Sequence, residues 1–253
     1  MTTETAPFRT ASPLGRILNI VKLHLANPWT TITLPWMILG LIFAANWVIW
    51  WIIFTAGGPA ASVDASEGLQ YSGASAYIFI YMMVVAITAI SVTFPFALGY
   101  GVTRRDYYLG SAVTFVGLSV MFTIGLTILS IIEQATNGWG LGGRMFTAVY
   151  FGETWYERMF IYFALFLFFF FFGAAIATVW VRWKATGVTA FFIVVAALLL
   201  GAAALLTFTQ SWHVVGDFFG RTGLVGSIAW SLVLTVISGV TGFFILRRAT
   251  PRS

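Results

Sequence analysis

The sequence predicts an all-α polytopic membrane protein. Six transmembrane helices, with both termini cytoplasmic, follow an amphipathic helix at the inner membrane face. Three observations predict this. The 253-residue chain is 60% hydrophobic and only 8% charged, whereas soluble domains carry roughly a quarter charged residues. So little charge cannot clothe a water-facing surface. The apolar residues fall in six continuous runs, each close to the roughly 20 residues that a bilayer-spanning helix needs, and without the period of two of a membrane barrel. The basic residues gather on one side of those runs.

Met1 to Pro13 hold Glu4, Arg9 and two prolines and lack an apolar core, unlike a cleavable signal peptide. In the next segment, residues 14–27, Leu14, Ile17, Leu18, Val21 and Leu25 repeat at helical spacing, with Arg16, Asn19 and Lys22 largely off that stripe. This predicts a short interfacial helix bracketed by Pro13 and Pro28. The spans are expected at 32–54, 76–98, 107–132, 159–181, 188–207 and 227–246, in a single transmembrane domain covering 1–253. Three outer loops connect them. Ala56–Ser75 is rich in Gly, Ala and Ser, and Ala135–Tyr156 carries Gly138, Gly140, Gly142 and Gly143. Gln210–Gly226 is too apolar for a solvated loop and too short to span, which predicts a re-entrant or interface-hugging segment.

With these spans, Arg9, Arg16, Lys22, Arg104, Arg105, Arg182, Lys184, Arg247, Arg248 and Arg252 share one side, ten of the 13 Lys and Arg. Arg144, Arg158 and Arg221 lie on the other, with Asp64, Glu67, Glu133, Glu153, Glu157 and Asp217. The richly basic side is cytoplasmic by the positive-inside rule, which places the protein in the cytoplasmic membrane. The net charge of +5 is thereby a topology signal and calls for no nucleic acid.

Chemistry is sparse. With no cysteine, disulfides, thiolate metal sites and cysteine nucleophiles are excluded. His24 and His213 fall on opposite sides, and no Ser/His/Asp set or metal cluster lies at membrane depth, so no catalytic, cofactor or metal residue is assigned. Glu153 and Glu157 open the fourth span and suit its helix dipole. Gly99-Tyr100-Gly101 lacks the Thr-Val of a potassium filter and faces the wrong side. No ionisable residue sits near the middle of a span, where ion-coupled carriers place theirs, and no GxxxxGK[ST] loop binds a nucleotide. Phe168–Phe172 suits lipid contact or helix packing, and Gly110, Gly117, Gly125, Gly173 and Ala177 offer small faces for it. Pro95 is expected to bend the second span; with Thr88 and Ser91 before it, it makes a candidate pathway wall.

The turn between spans two and three stands out: Gly101-Val102-Thr103-Arg104-Arg105-Asp106-Tyr107-Tyr108. Its order and place resemble the cytoplasmic coupling connection of permease subunits in the type-2 family of ATP-binding-cassette exporters, and the chain resembles them in architecture nearly end to end. The resemblance implies two permease copies, most simply a homodimer, and a cytoplasmic ATPase subunit that binds ATP and Mg. It implies a pathway lined largely by spans two and five, and no cofactor in this chain. Within the turn, Arg104, Arg105 and Asp106 supply charge, and Tyr107 or Tyr108 supplies apolar area for the ATPase. The rival readings are a membrane scaffold or sensor without transport, then a channel. Single cysteines in this cysteine-free chain test the topology. An impermeant thiol reagent on intact cells is expected to label positions 64, 144 and 217 and to spare 104 and 184; labelling at 104 contradicts the arrangement.

Overall fold

The computed structural model describes residues 12–56 and 71–248. The expected positions of Glu4, Arg9, Asp64, Glu67 and Arg252, and most of the first outer loop, lie outside them. The described residues are helical with no strand. Six helices follow in order: α1 (Pro13–His24), α2 (Trp29–Ala56), α3 (Ala74–Gly99), α4 (Arg104–Ala135), α5 (Trp155–Phe208) and α6 (Trp212–Arg248). The last five are long and apolar enough to cross a membrane. That is five such helices against six expected spans, because 159–181 and 188–207 both fall inside α5.

α5 is not straight. Its 54 residues would extend roughly 80 Å, far beyond a hydrocarbon core of about 30 Å. At Lys184 the backbone leaves the helical region, with φ 56° and ψ −149°. The two arms then fold together: the rings of Phe172 and Phe191 lie 6.4 Å apart, where a continuous helix would separate them by roughly 28 Å. α6 reverses in the same way at Gly223, with φ 64° and ψ −174°. Phe218 there meets Trp230 at 5.9 Å, and the segment expected to be re-entrant, Gln210–Gly226, holds a short helix over 212–222 laid back on the longer arm. Glycine adopts this conformation freely. Lysine does so at a cost of order 1–3 kcal/mol.

The first arm of α5 is the centre of the bundle. Phe170 stacks on Phe115 of α4 at 5.0 Å, and Phe166 meets Phe79 of α3 at 4.6 Å. Phe171 lies edge-on to Phe115, and Phe172 faces the second arm. The phenylalanine run thus packs helices on several sides. The second arm carries no buried residue from 185 to 208.

α1 starts with Ser12 as its cap, accepting from the Gly15 amide at 3.1 Å, and Pro13 in its first turn. It docks along α4 through Ile20, which is buried. Leu14 and Leu18 of the expected stripe stay exposed, and the contact with α4 is made by Ile20, off that stripe, whose side chain sits over Gly110. Several basic residues also meet. Arg16 pairs with Asp106, the Arg104 guanidinium donates to the Arg247 carbonyl at 3.2 Å, and Arg182 and Arg248 line one depression. These basic residues share one end of the bundle.

The small residues differ in what they touch. A Cβ on Gly173 would meet the Met83 carbonyl oxygen at 2.6 Å, and one on Gly110 the Ile20 Cβ at 2.5 Å. Gly125 lies under the Trp36 ring, while Gly117 has open space beside it, so the expected contact at Gly117 is not made within this chain. Gly173→Ala is therefore expected to lower the unfolding temperature in detergent. Gly117→Ala is expected to leave it unchanged or raise it, since glycine within a helix costs about 0.5–1 kcal/mol relative to alanine. Equal effects at the two sites contradict the packing described.

Candidate functional site

The turn between α3 and α4 decodes into a helix stop followed at once by a helix start. α3 ends with Gly101 at φ 78°. The Gly101 amide donates to the Leu98 carbonyl at 2.9 Å and the Val102 amide to Ala97 at 3.3 Å. This paired bonding with a left-handed glycine is the Schellman ending. Two residues later Thr103 caps α4, its hydroxyl accepting from the Asp106 amide at 3.1 Å. Val102 and Tyr107 occupy the positions of a hydrophobic staple. Gly101, Thr103 and Asp106 thus have local structural roles.

Asp106, Tyr107 and Tyr108 then reach three different helices. Asp106 accepts from Arg16 Nε of α1 at 2.7 Å. The Tyr107 hydroxyl donates to the Ala89 carbonyl of α3. The Tyr108 hydroxyl donates to the Gly239 carbonyl of α6 at 2.6 Å, and its ring packs edge-on to Phe243. Tyr107 is 0% exposed and Tyr108 6%. The expectation that one of them offers its ring to a partner is corrected: both point into the bundle, because α4 begins at once after the turn and turns this face inward. The exposed aromatic is Tyr100, at 76%, stacked near Phe96 at 4.8 Å. Arg105, Thr103, Gly99 and Gly101 are exposed beside it, and Val102 and Arg104 are half-buried. Sequence reasoning passed over Tyr100 for the pair. The signal that would have found it is its place at the tip, just before the left-handed glycine.

In α3 the expected irregularity is present but displaced. Ala89–Thr93 forms a widened π turn ahead of Pro95, which has no amide hydrogen for the helix ladder. Such turns often mark functional sites. The hydroxyls of Thr88 and Ser91 donate one turn back, to the Val84 and Ile87 carbonyls at 3.0 and 2.7 Å, and so do not serve the carbonyls freed at Pro95. Thr88 and Pro95 are exposed and Ser91 half-buried. Thr88, but neither Ser91 nor Pro95, lines a half-open cavity of about 350 Å³ between the end of α1, the start of α2, α3 and α4. His24 stands in its wall, and burial pushes its pKa from near 6.5 down to about 4. The unfolded chain takes up that proton first, so stability at this site falls as pH drops from about 6.5 through about 4.

The opposite end holds a polar knot. Glu133, 1% exposed, accepts from the amides of Met145, Phe146 and Thr147, the Thr147 hydroxyl and the Trp139 indole, at 2.6 to 3.2 Å. Arg158 donates to the Gly152 and Glu153 carbonyls and to Gln134 Oε1. A carboxylate in the last turn of a helix opposes the dipole, and that misfit is the signal by which Glu133 could have been singled out. At the start of α5, Glu157 and Thr154 form a reciprocal capping box, in keeping with the dipole reading; Glu153 lies just outside that helix. Among the described residues no group of three or more His, Asp or Glu is placed to hold a metal.

The buried tyrosines give a direct test. Tyr107→Phe and Tyr108→Phe each remove a buried hydrogen bond, at a cost of about 0.5–1.5 kcal/mol. Each is expected to lower the unfolding temperature in detergent, whereas Tyr100→Ala is expected to stay within about 0.5 kcal/mol of the parent. Neutral behaviour of both phenylalanine variants contradicts the inward placement. Comparison with protein-family models, with curated proteins and with solved structures yields no match for this chain.

Proposed function

We propose that the chain is the permease subunit of an ATP-binding-cassette exporter, working as a homodimer with a separate cytoplasmic ATPase subunit that binds ATP and Mg. On this reading the membrane is crossed six times, α5 crossing twice about Lys184. The arginine-rich end faces the cytoplasm, and α1 lies flat there. The separation of basic residues to one end of the bundle supports that orientation. The reversals in α5 and α6 support the six-span count with a short returning helix before the last.

One observation carries the functional reading: the turn before α4 has an exposed tip and a locked base. Its tip presents Tyr100 and Arg105 at the basic end. Its base is bonded to α1, α3 and α6. A partner that pushes on the tip displaces four helices together, as a coupling element must. The π turn of α3 lies at one end of this lever, with Thr88 just before it and Ser91 within it on the candidate pathway wall. The cargo is an unidentified solute or lipophilic compound.

Purification from the native membrane, with the ATPase subunit co-expressed, tests this. Tyr100→Ala is expected to weaken partner retention or its ATPase stimulation about tenfold or more, since a well-packed interface aromatic is worth about 2 kcal/mol. Arg105→Ala should have a smaller effect, as exposed ion pairs are worth about 0–1 kcal/mol. Recovery without a nucleotide-binding subunit favours a scaffold or sensor. Ion conduction without nucleotide favours a channel. Either result overturns the proposal.

A further inference from the structure

The cavity beside Thr88 has a lining whose hydrogen bonds can be followed atom by atom. Its apolar wall is Leu23, Val84, Val85, Phe115 and Leu118. No Asp, Glu, Lys or Arg lines it. A charged occupant would lose its hydration without a counter-charge, at a cost of many kcal/mol. At about 350 Å³ it falls at the small end of small-molecule sites, which run from about 300 to 1,000 Å³.

The polar groups in the wall are mostly committed. Thr30 and Thr31 donate to the Asn27 carbonyl, Tyr81 to the Thr30 carbonyl, Thr88 to Val84 and Thr114 to Gly110. Each of these hydroxyls has used its one proton and keeps only lone pairs. His24 is set the same way. In the arrangement in which the Ser111 hydroxyl donates to the Tyr107 carbonyl at 2.9 Å, it accepts from His24 Nε2, 2.8 Å away. Nε2 therefore carries the hydrogen of the neutral ring, and Nδ1 is a lone-pair acceptor with no partner in the described residues. Asn27 and Thr93 complete the polar lining; the Asn27 amide brings an acceptor oxygen and two N–H donors, and the Thr93 hydroxyl brings a further acceptor oxygen. The cavity is apolar, uncharged and richer in acceptors than donors.

We propose that this cavity binds a neutral lipophilic molecule bearing a hydrogen-bond donor, a hydroxyl or an uncharged N–H, with His24 Nδ1 as an acceptor for it. As a binding site this stands on the lining alone; as a cargo site it rests on the exporter reading. Thr88 then belongs to the wall that the cargo touches.

A diazirine-bearing decanol, added to the full chain with its ATPase partner in lipid nanodiscs, serves as the probe, with labelled residues mapped by mass spectrometry. Labelling is expected to concentrate in 81–93 and 114–118. At matched membrane concentration, decanol is expected to compete at least tenfold better than decyl methyl ether, which has the same chain and no donor. His24→Phe is expected to narrow that ratio several-fold. Val84→Trp, at a half-exposed position that tolerates bulk, is expected to fill the cavity and remove the labelling. Labelling spread equally over 188–208, equal competition by the ether, or undiminished labelling of Val84→Trp shows adventitious partition only and overturns the site. Donor-selective labelling with no response of partner ATP hydrolysis to decanol upholds the site and overturns its role in export.

Discussion

Asp106, Tyr107 and Tyr108 are consecutive residues, and each one fastens the head of α4 to a different helix. Asp106 holds α1 through Arg16, Tyr107 holds α3 at the Ala89 carbonyl, and Tyr108 holds α6 at the Gly239 carbonyl. Near a bilayer interface a polar group withdrawn from water must find a partner inside the protein. Sliding α4 by one residue would break all three contacts at once. Glycines make the fit possible: Gly242 leaves room for the Tyr108 ring, and Gly110 for Ile20. The rest of the bundle follows from this seat. α4 presents Phe115 and Phe122 to the first arm of α5, and α5 in turn gathers α3. The second arm of α5 and most of α6 add little buried surface, with Thr235, Gly242 and Leu246 the buried residues of α6.

Much of the fold was legible because continuous apolar runs and one-sided charge act through the bilayer alone. The six runs needed no knowledge of packing, and each lies within a helix. Their joining was less legible. The reversals at Lys184 and Gly223 share one backbone conformation, yet only one of them is a glycine. Lys184 was placed on the cytoplasmic side by its charge, and nothing in the letter K announces a left-handed backbone. In α1 the apolar stripe was read as a membrane-facing surface, and Leu14, Leu18 and Leu25 are exposed. It missed that Ile20, off the stripe, finds its partner 90 residues away at Gly110.

In the turn before α4, the inward placement of Tyr107 and Tyr108 was not legible from the sequence. Gly101 ends α3 at positive φ. The order Gly-Val-Thr-Arg-Arg-Asp owes much of itself to ending one helix and starting another, so its specificity as a docking motif is narrower than its length suggests. The tyrosines are amphipathic enough to serve either an interface or a core; only the rotation of α4 decides, and rotation is set by partners in α3 and α6 that sequence spacing does not reveal. The cavity at His24 was invisible for a similar reason: it is built from four helices, and its acceptor character depends on where each hydroxyl proton goes.

The short turn has an inward face that locks the bundle and an exposed face that, on the proposed function, meets an ATPase. A photoreactive phenylalanine analogue placed singly at positions 100, 107 and 108, and irradiated in intact membranes, separates the two faces in one measurement. The account predicts that position 100 crosslinks to a nucleotide-binding protein, while positions 107 and 108 crosslink only within the chain, to α3 and α6. A crosslink from 107 or 108 to such a partner, with none from 100, would contradict it.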